Sequence, residues 1–305
     1  MRRHTDWDTP AFDLTPVASA TGPFPTRSFL RTLWEHGGDG GRRLSLVEGP
    51  DALIPLEICG PEVHLSGHPD LVDYHAPLGP GVAGVMASLA ADLPTGSSID
   101  FDSLPLEAAE AVAEGLEAAG LPWTSERHAV AAVLELPGTY EDYLHAIGKK
   151  ERHEVRRKRR RYVETVGELV HETHTGTGWA FDEFVRLHRL AAGPKGTFMT
   201  GGMRRLFATL AGQPGWRIDL LRIGEERRAT ACVFGFADED GYFLYNSAYD
   251  PGLSEGSPGV ALLGSMIERA IGEGRPRFDF LKGDEAYKFR LGADERPLYR
   301  LVAHR

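Results

Sequence analysis

The stretch PGVALLGSMIERAIGEGRPRFDF, residues 258–280, repeats an earlier one, PGVAGVMASLAADLPTGSSIDF, residues 80–101. Each copy opens on Pro-Gly-Val-Ala, continues with apolar residues at helical spacing and ends in an Asp-Phe pair. Asp100 lies 20 residues after Pro80, and Asp279 lies 21 residues after Pro258. Proline at a first helical position loses nothing by its missing N–H, so both openings predict a helix. The alternation around each Asp-Phe pair predicts a strand. Working outward, YHAP (74–77) answers YDPG (249–252), and RRLSLVEG (42–49) answers WRIDLLRIG (216–224). An offset of about 175 residues held over four segments predicts two copies of one unit. The fold class is therefore α/β with a mixed α+β sheet, in two domains, 1–137 and 138–305.

The remaining pattern fills in each copy. In the first, a helix over 26–36 with Thr26 as N-cap precedes strands at 43–47 and 53–58, and EGPD between them has turn composition. Strands at 98–105 and 129–136 flank a helix at 106–119. In the second, helices at 139–147 and 149–166 lead to a strand at 170–173 and helices at 181–191 and 203–211. Strands at 217–223, 229–237 and 242–249 are joined by GEER and DEDG, both hairpin turns. The helix at 258–272, a strand at 277–281 and a last strand at 298–303 complete the chain.

Composition narrows the function. Of 305 residues, 42% are apolar and 26% charged, an ordinary globular balance. No apolar run approaches the ~18 residues of a membrane span, and no apolar segment follows Arg2 and Arg3 as a secretory signal requires. Cys59 and Cys232 are far apart in strand-like contexts, which predicts neither a disulfide scaffold nor a zinc site. The expected location is the cytoplasm. The net charge is −10, yet KKERHEVRRKRRR (149–161) holds nine cations and two glutamates. Such a concentrated patch on an acidic body fits a local anionic partner, or else a solvated helix face paired with glutamates elsewhere. DNA is not an expected partner.

Two segments carry chemistry. In SEGSPGVALL (254–263), Ser257 is the natural N-cap, Pro258 the first and Gly259 the second helical residue. The free amides of Gly259 and Val260 and the positive end of the helix dipole favour an anion such as a pyrophosphate. Gly256 and Gly259 would let the chain approach a ligand closely. In RFDFLKGDEAYKFRLGA (277–293), a buried strand breaks at Lys282-Gly283-Asp284-Glu285, where ligands of α/β sheets gather. Tyr287, Lys288 and Arg290 follow, so an acid, a phenol and cations share one turn. A turn in which Lys288 and Arg290 merely pair with Asp284 and Glu285 has the same composition.

FDFLKGDEAYKFRLGA resembles the C-terminal signature of CelD/BcsL-type acetyltransferases, a branch of the GNAT superfamily related to the FemAB aminoacyl transferases. YDPGLSEGSPGVALLGSMIERAI resembles the family's strand, loop and Ser-Pro-Gly helix. IGKKERHEVRRKRRR resembles its Lys-x-x-Arg-x-x-x-Arg helix, and FVRLHRLA its Leu-His helix. The likeness covers about residues 140–293, and the first half matches only loosely. It implies a tandem duplicated GNAT-like fold, in agreement with the repeat. The pyrophosphate loop Arg/Gln-x-x-Gly-x-Gly/Ala of ordinary GNAT enzymes is absent.

The resemblance implies direct acyl transfer from acetyl-CoA or another acyl-CoA to an amine or hydroxyl of a small molecule, sugar or cell-envelope precursor. The central strand would be 242–249, with the polarising amide at Asn246 or Ser247. Asp284 is the first candidate base and Glu285 the second. Tyr287 would serve the leaving thiolate. Ser257, Pro258, Gly259, Val260, Gly283 and Lys288 would hold the donor, and Lys149, Arg152, Arg156 and Tyr249 the acceptor. A FemAB-like enzyme using charged tRNA, and a non-catalytic scaffold of a polysaccharide pathway, are the alternatives. No long helical-arm insertion of the FemAB kind is visible.

Other groups read as structural. His171-Glu172-Thr173-His174 lacks the spacing and helix of a zinc motif, His188 packs under its helix, and no metal is expected at His64, His68 and His75. Gly37-Gly38 and Gly40-Gly41 form a flexible turn.

Overall fold

The computed structural model describes residues 1–37 and 40–305. Gly38 of the glycine-rich turn lies outside them. In chain order the elements are β1 (Arg2–His4), α1 (Arg27–Gly37), β2 (Arg43–Glu48), β3 (Leu53–Cys59), β4 (Glu62–Leu65), α2 (Val82–Asp92), β5 (Ser98–Leu104), α3 (Leu106–Ala118) and β6 (Trp123–Glu135). They continue with α4 (Tyr140–Ala146), α5 (Gly148–Thr165), β7 (Val170–His174), α6 (Trp179–Leu190), α7 (Pro194–Phe198), α8 (Gly201–Ala211), β8 (Trp216–Ile223), β9 (Arg228–Asp238) and β10 (Gly241–Tyr249). A 3-10 turn (Pro251–Gly256), α9 (Pro258–Gly272), β11 (Arg277–Lys282), α10 (Ala286–Arg290) and β12 (Asp294–His304) complete it.

The chain divides into two units, Met1–Ala131 with Arg296–Arg305, and Ala132–Glu295. Residues 296–305, which the sequence reading puts with the second domain, thus cluster with the first, because β12 pairs antiparallel with β5. Strand β4 was not expected in a stretch rich in Gly, Pro and His; its four residues are too few to show a period of two.

Each unit repeats the other's topology. In the first, β1-β2-β3-β4 pair antiparallel in turn, then β4 pairs parallel with β5 across the α2 crossover. In the second, β7-β8-β9-β10 pair antiparallel in turn, then β10 pairs parallel with β11 across α9. The duplication read from the sequence is therefore present as a duplicated fold of mixed α/β class.

In the first unit, α2 and α3 cover one sheet face, packing Val82, Met86, Leu89, Val112 and Leu116 on Ile54, Leu56, Ile99 and Phe101. Alternation turns Asp100 and Asp102 to the opposite face. In the second unit, α9 and α5 cover one face through Leu262, Met266, Ile267, Val155 and Tyr162. The other face carries an aromatic cluster in which Phe184 of α6 meets Phe207 of α8 at 5.3 Å and Phe234 of β9 at 5.4 Å. No helix among the described residues is long and apolar enough to cross a membrane.

Candidate active site

The second unit holds a cavity of about 360 Å³ where the end of β10, the start of α9 and the turn after β11 meet. Strand β10 shapes it. Its register against β9 slips between Leu244 and Asn246, leaving Tyr245 as a bulge, and its parallel pairing with β11 is confined to Tyr242–Phe278 and Phe243–Asp279. A bulge bends its strand. Beyond Phe243 the two strands diverge, and Ser247, Ala248 and Tyr249 line the opening.

The opposite wall is the start of α9. Ser257 takes the cap position in a left-handed conformation (φ 54°), and its side chain caps nothing. This corrects the expected side-chain cap: the chain turns sharply out of the 3-10 turn, and Ser257 engages through its backbone, its N–H donating to the Ser254 carbonyl at 3.0 Å and its carbonyl accepting from the Ala261 N–H at 3.1 Å. Pro258 has no N–H, and the N–H groups of Gly259 and Val260 have no partner within the helix. Ser257, Pro258, Gly259 and Val260 all line the cavity. A Cβ on Gly259 would meet only the Tyr249 ring, at 3.6 Å, whereas one on Gly256 would lie 2.5 Å from Val166 Cγ2. Gly256 is thus a packing residue under α5, not a ligand contact.

The turn after β11 sorts the signature residues into two groups. Asp279 is fully buried and its Oδ1 accepts the Leu281 N–H at 2.7 Å. Lys288 is also buried; its ammonium donates to the carbonyls of Leu281 (3.2 Å), Lys282 (3.0 Å) and Gly283 (3.3 Å) and pairs with Glu285 at 2.9 Å. The expectation that Lys288 holds a phosphate is corrected on that ground: its three protons are spent on the turn. Gly283 (φ 127°) belongs to the same brace, since a Cβ there would fall 2.3 Å from Glu285 Oε2 and 2.9 Å from Lys288 Nζ. Gly283 is not among the cavity-lining residues. Glu285 and Tyr287 do line the cavity, while Asp284 is exposed outside it. Burial first, and then the Glu285 charge, push the Tyr287 phenol up to about 12, so it keeps its proton at neutral pH.

The Asn246 side chain turns away from the cavity and meets His188 of α6, Oδ1 to Nε2, at 2.5 Å. His188 Nδ1–H donates to the Phe184 carbonyl at 3.0 Å, so the pair sits under α6 as a buried polar link. Tyr249, expected at the acceptor, lines the cavity with its ring 45% exposed.

The basic helix α5 is tied down by Val155 and Tyr162, seven residues apart, with the Tyr162 hydroxyl 2.9 Å from Thr230 Oγ1. Its charges are largely matched. Arg159 pairs with Glu268 (2.8 Å), Arg161 with Glu255 (2.9 Å), Arg156 with Glu141 (3.5 Å) and Arg157 with Glu154 (2.7 Å). Arg152 donates to the Leu144 carbonyl at 3.3 Å, and Lys149 is exposed. None of Lys149, Arg152 and Arg156 lines the cavity; Lys158 does. The pattern held the signal: Lys158 stands three residues after buried Val155 and four before buried Tyr162, on the inward flank of the helix. Among the described residues no group of three or more His, Cys, Asp or Glu could hold a metal.

Residues 149–289 match the family model of an acetyltransferase (GNAT) domain. This segment is similar to acetyltransferase domains of the GNAT type. Solved structures share the fold of the chain at low identity. FemX superposes with a TM-score of 0.63 at 9% identity, over 98% of this chain and 97% of that one. A conserved protein of unknown function from Bacteroides thetaiotaomicron gives 0.65 at 13%, over 96% and 95%. The C-terminal domain of a putative lysylphosphatidylglycerol synthetase from Agrobacterium fabrum gives 0.59 at 12%, over 91% of each chain. No curated protein matches the chain in sequence.

Proposed function

We propose that the protein is an N-acyltransferase of the CelD/BcsL branch that moves an acetyl or other acyl group from acyl-CoA to an amine or hydroxyl of a small molecule, sugar or cell-envelope precursor. One observation carries the reading: two unpaired helix-start N–H groups, the free end of β10 and the Glu285–Tyr287 wall share one cavity. The residues present suit the donor. The Gly259 and Val260 N–H groups and the Lys158 ammonium offer hydrogen bonds and positive charge to a pyrophosphate, and Gly259 leaves room for close approach.

Acyl-CoA supplies the thioester carbonyl that the acceptor attacks and the sulfur that leaves. A backbone N–H at Asn246 or Ser247, beyond the last β10 residue that pairs with β11, polarises that carbonyl. Glu285, paired with Lys288 at 2.9 Å, takes the proton that the attacking amine must lose, directly or through one water. Tyr287, protonated at neutral pH, donates to the departing sulfur. Glu285 replaces Asp284 as the first candidate base because only Glu285 borders the cavity. Tyr249 lies at the rim where an acceptor enters.

Thermal unfolding tests the reading. Acetyl-CoA should raise Tm with concentration, because a ligand that binds only the folded state stabilises it by mass action. Tyr287→Phe and Glu285→Gln should keep that stabilisation and lower turnover about a hundredfold. An unchanged Tm with every acyl-CoA overturns it.

A FemAB-like transfer from charged tRNA is the second reading, raised by the fold shared with FemX. The ion pairing along α5 weighs against it: Arg156, Arg157, Arg159, Arg160 and Arg161 each have a glutamate partner. A tRNA complex whose affinity falls steeply with salt would favour it. The scaffold reading predicts neither effect.

A further inference from the structure

The first unit carries a second cavity, of about 340 Å³, that the acyl-transfer reading does not use. It opens on the sheet face opposite α2 and α3. Its polar lining comprises two arginines, the carboxylates of Glu57, Asp100 and Asp102, and four histidines, His75 among them.

The second unit shows how unusual this lining is for the fold. Val63 pairs with Ile99 as Tyr242 pairs with Phe278, at the same point before the Asp-Phe pair. On that alignment the cross-strand partners Glu57 and His64 occupy the places of Phe236 and Phe243. The fold thus accepts an aromatic pair where the first unit places a carboxylate and an imidazole. Buried charge is costly and seldom repays its desolvation as stability. Here Glu57 is 5% exposed, bonded to Arg42 Nη1 at 2.5 Å and to the Gly67 N–H at 2.9 Å. Asp100 and Arg300 form a two-pronged pair at 2.8 and 2.6 Å.

His75 is the decisive group. It is 5% exposed, and its backbone N–H is tied to the Ser103 carbonyl at 2.9 Å. Its Nδ1 lies 2.9 Å from both the carbonyl and the carboxylate of Asp102. Both partners are acceptors, so the Nδ1 proton is fixed there. Nε2 is buried and has no hydrogen-bond partner among the described residues. A buried polar nitrogen left unpaired carries a desolvation cost with no return.

We propose that this cavity binds a neutral, polyhydroxylated small molecule of monosaccharide size, one hydroxyl of which bonds to His75 Nε2. A hydroxyl fits either state of the ring, donating to a neutral imidazole or accepting from an imidazolium. The lining sets three carboxylates against two guanidiniums and four imidazoles, with no dominant sign of charge, which suits a neutral ligand better than a phosphate or carboxylate. The guanidiniums in turn disfavour a bare cation. Fork pairs such as Asp100–Arg300 place donors and acceptors side by side, matching adjacent hydroxyls.

The test uses the full chain labelled with ¹⁵N-histidine, titrated with D-glucose, N-acetylglucosamine, ethylamine and inorganic phosphate, alongside His75→Ala. A neutral sugar should shift the His75 Nε2 resonance, and His75→Ala should weaken its binding about tenfold. Excess acetyl-CoA should leave the sugar's affinity unchanged, even if the transferase reading fails. A response to phosphate or ethylamine but to neither sugar overturns the proposal, as does displacement by acetyl-CoA. Equal sugar affinity in a folded His75→Ala overturns it too. Should that variant not fold, an unmoved Nε2 resonance in the unsubstituted chain is sufficient to overturn it.

Discussion

In the first unit the chain entering α2 is closed off by Asp51, whereas in the second the start of α9 opens on a cavity. The Gly81 N–H faces the Asp51 carbonyl at 3.4 Å, and a Cβ on Gly81 would fall 2.0 Å from Asp51 Oδ1. A carboxylate of the β2–β3 turn therefore sits where the helix dipole would attract an outside anion. No such side chain crowds Gly259. The sheet faces differ in the opposite sense: the first unit keeps a polar cavity where the second packs aromatic rings. One topology, used twice, has thus filled one potential site in each copy and left a different one open. A duplicated fold fixes where cavities can form, and the side chains decide which of them survives.

The contrast between the two faces can be broken most strongly at Phe184. It is fully buried and touches Phe207, Phe234 and His188. Phe184→Ala should lower unfolding free energy by about 3–5 kcal/mol, read from the denaturant midpoint. His75→Ala in the first unit should cost less, about 1–2 kcal/mol, since it removes the Nδ1 bonds to Asp102 without opening a packed aromatic core. Equal losses would mean that the first-unit cavity is structural.

The two helix starts give the next test. Gly79 lies in the left-handed region (φ 86°), and a Cβ there would sit 2.0 Å from the Asp51 carbonyl oxygen. Backbone cannot yield as a flexible side chain can, so Gly79→Ala should cost about 2–3 kcal/mol. Gly259→Ala should change stability by less than about 0.5 kcal/mol, because its Cβ has ordinary contact distance, and should instead raise the KM for acyl-CoA. If Gly259→Ala unfolded the protein and left KM alone, the open helix start would be packing.

Much of this contrast was written in the sequence, and the missing part has a physical cause. The repeat located both helices and both Asp-Phe strands because Pro-Gly openings and alternation are local signals. The turn after β11 stands out for the same reason, yet its composition does not assign the role of each residue. Composition cannot tell a lysine that reaches a ligand from one that braces carbonyls, and Lys288 does the latter. The same limit hid Asp284's exposure and Lys158's place on the cavity wall. The His75–Asp102 pair joins residues 27 apart, and nothing local announces it.

The smallest effect isolates the turn itself. Burial, and then Glu285, raise the Tyr287 phenol from its ordinary value near 10 to about 12. Below pH 10 both folded and unfolded chains hold the proton, and the folded state keeps its full advantage. Between pH 10 and 12 the unfolded chain releases the proton first, so stability falls as pH rises through this window. Tyr143, Tyr162 and Tyr242 are raised by burial as well, and total alkaline unfolding sums them all. Subtraction removes them: the stability difference between the unsubstituted chain and Tyr287→Phe should be flat up to pH 10 and then drop by about 2 kcal/mol towards pH 12. Since Glu285 contributes, Glu285→Gln should narrow the window from its upper end. A difference curve flat through pH 12 would place Tyr287 in open solvent and remove the wall on which the proton donor of the proposed transfer depends.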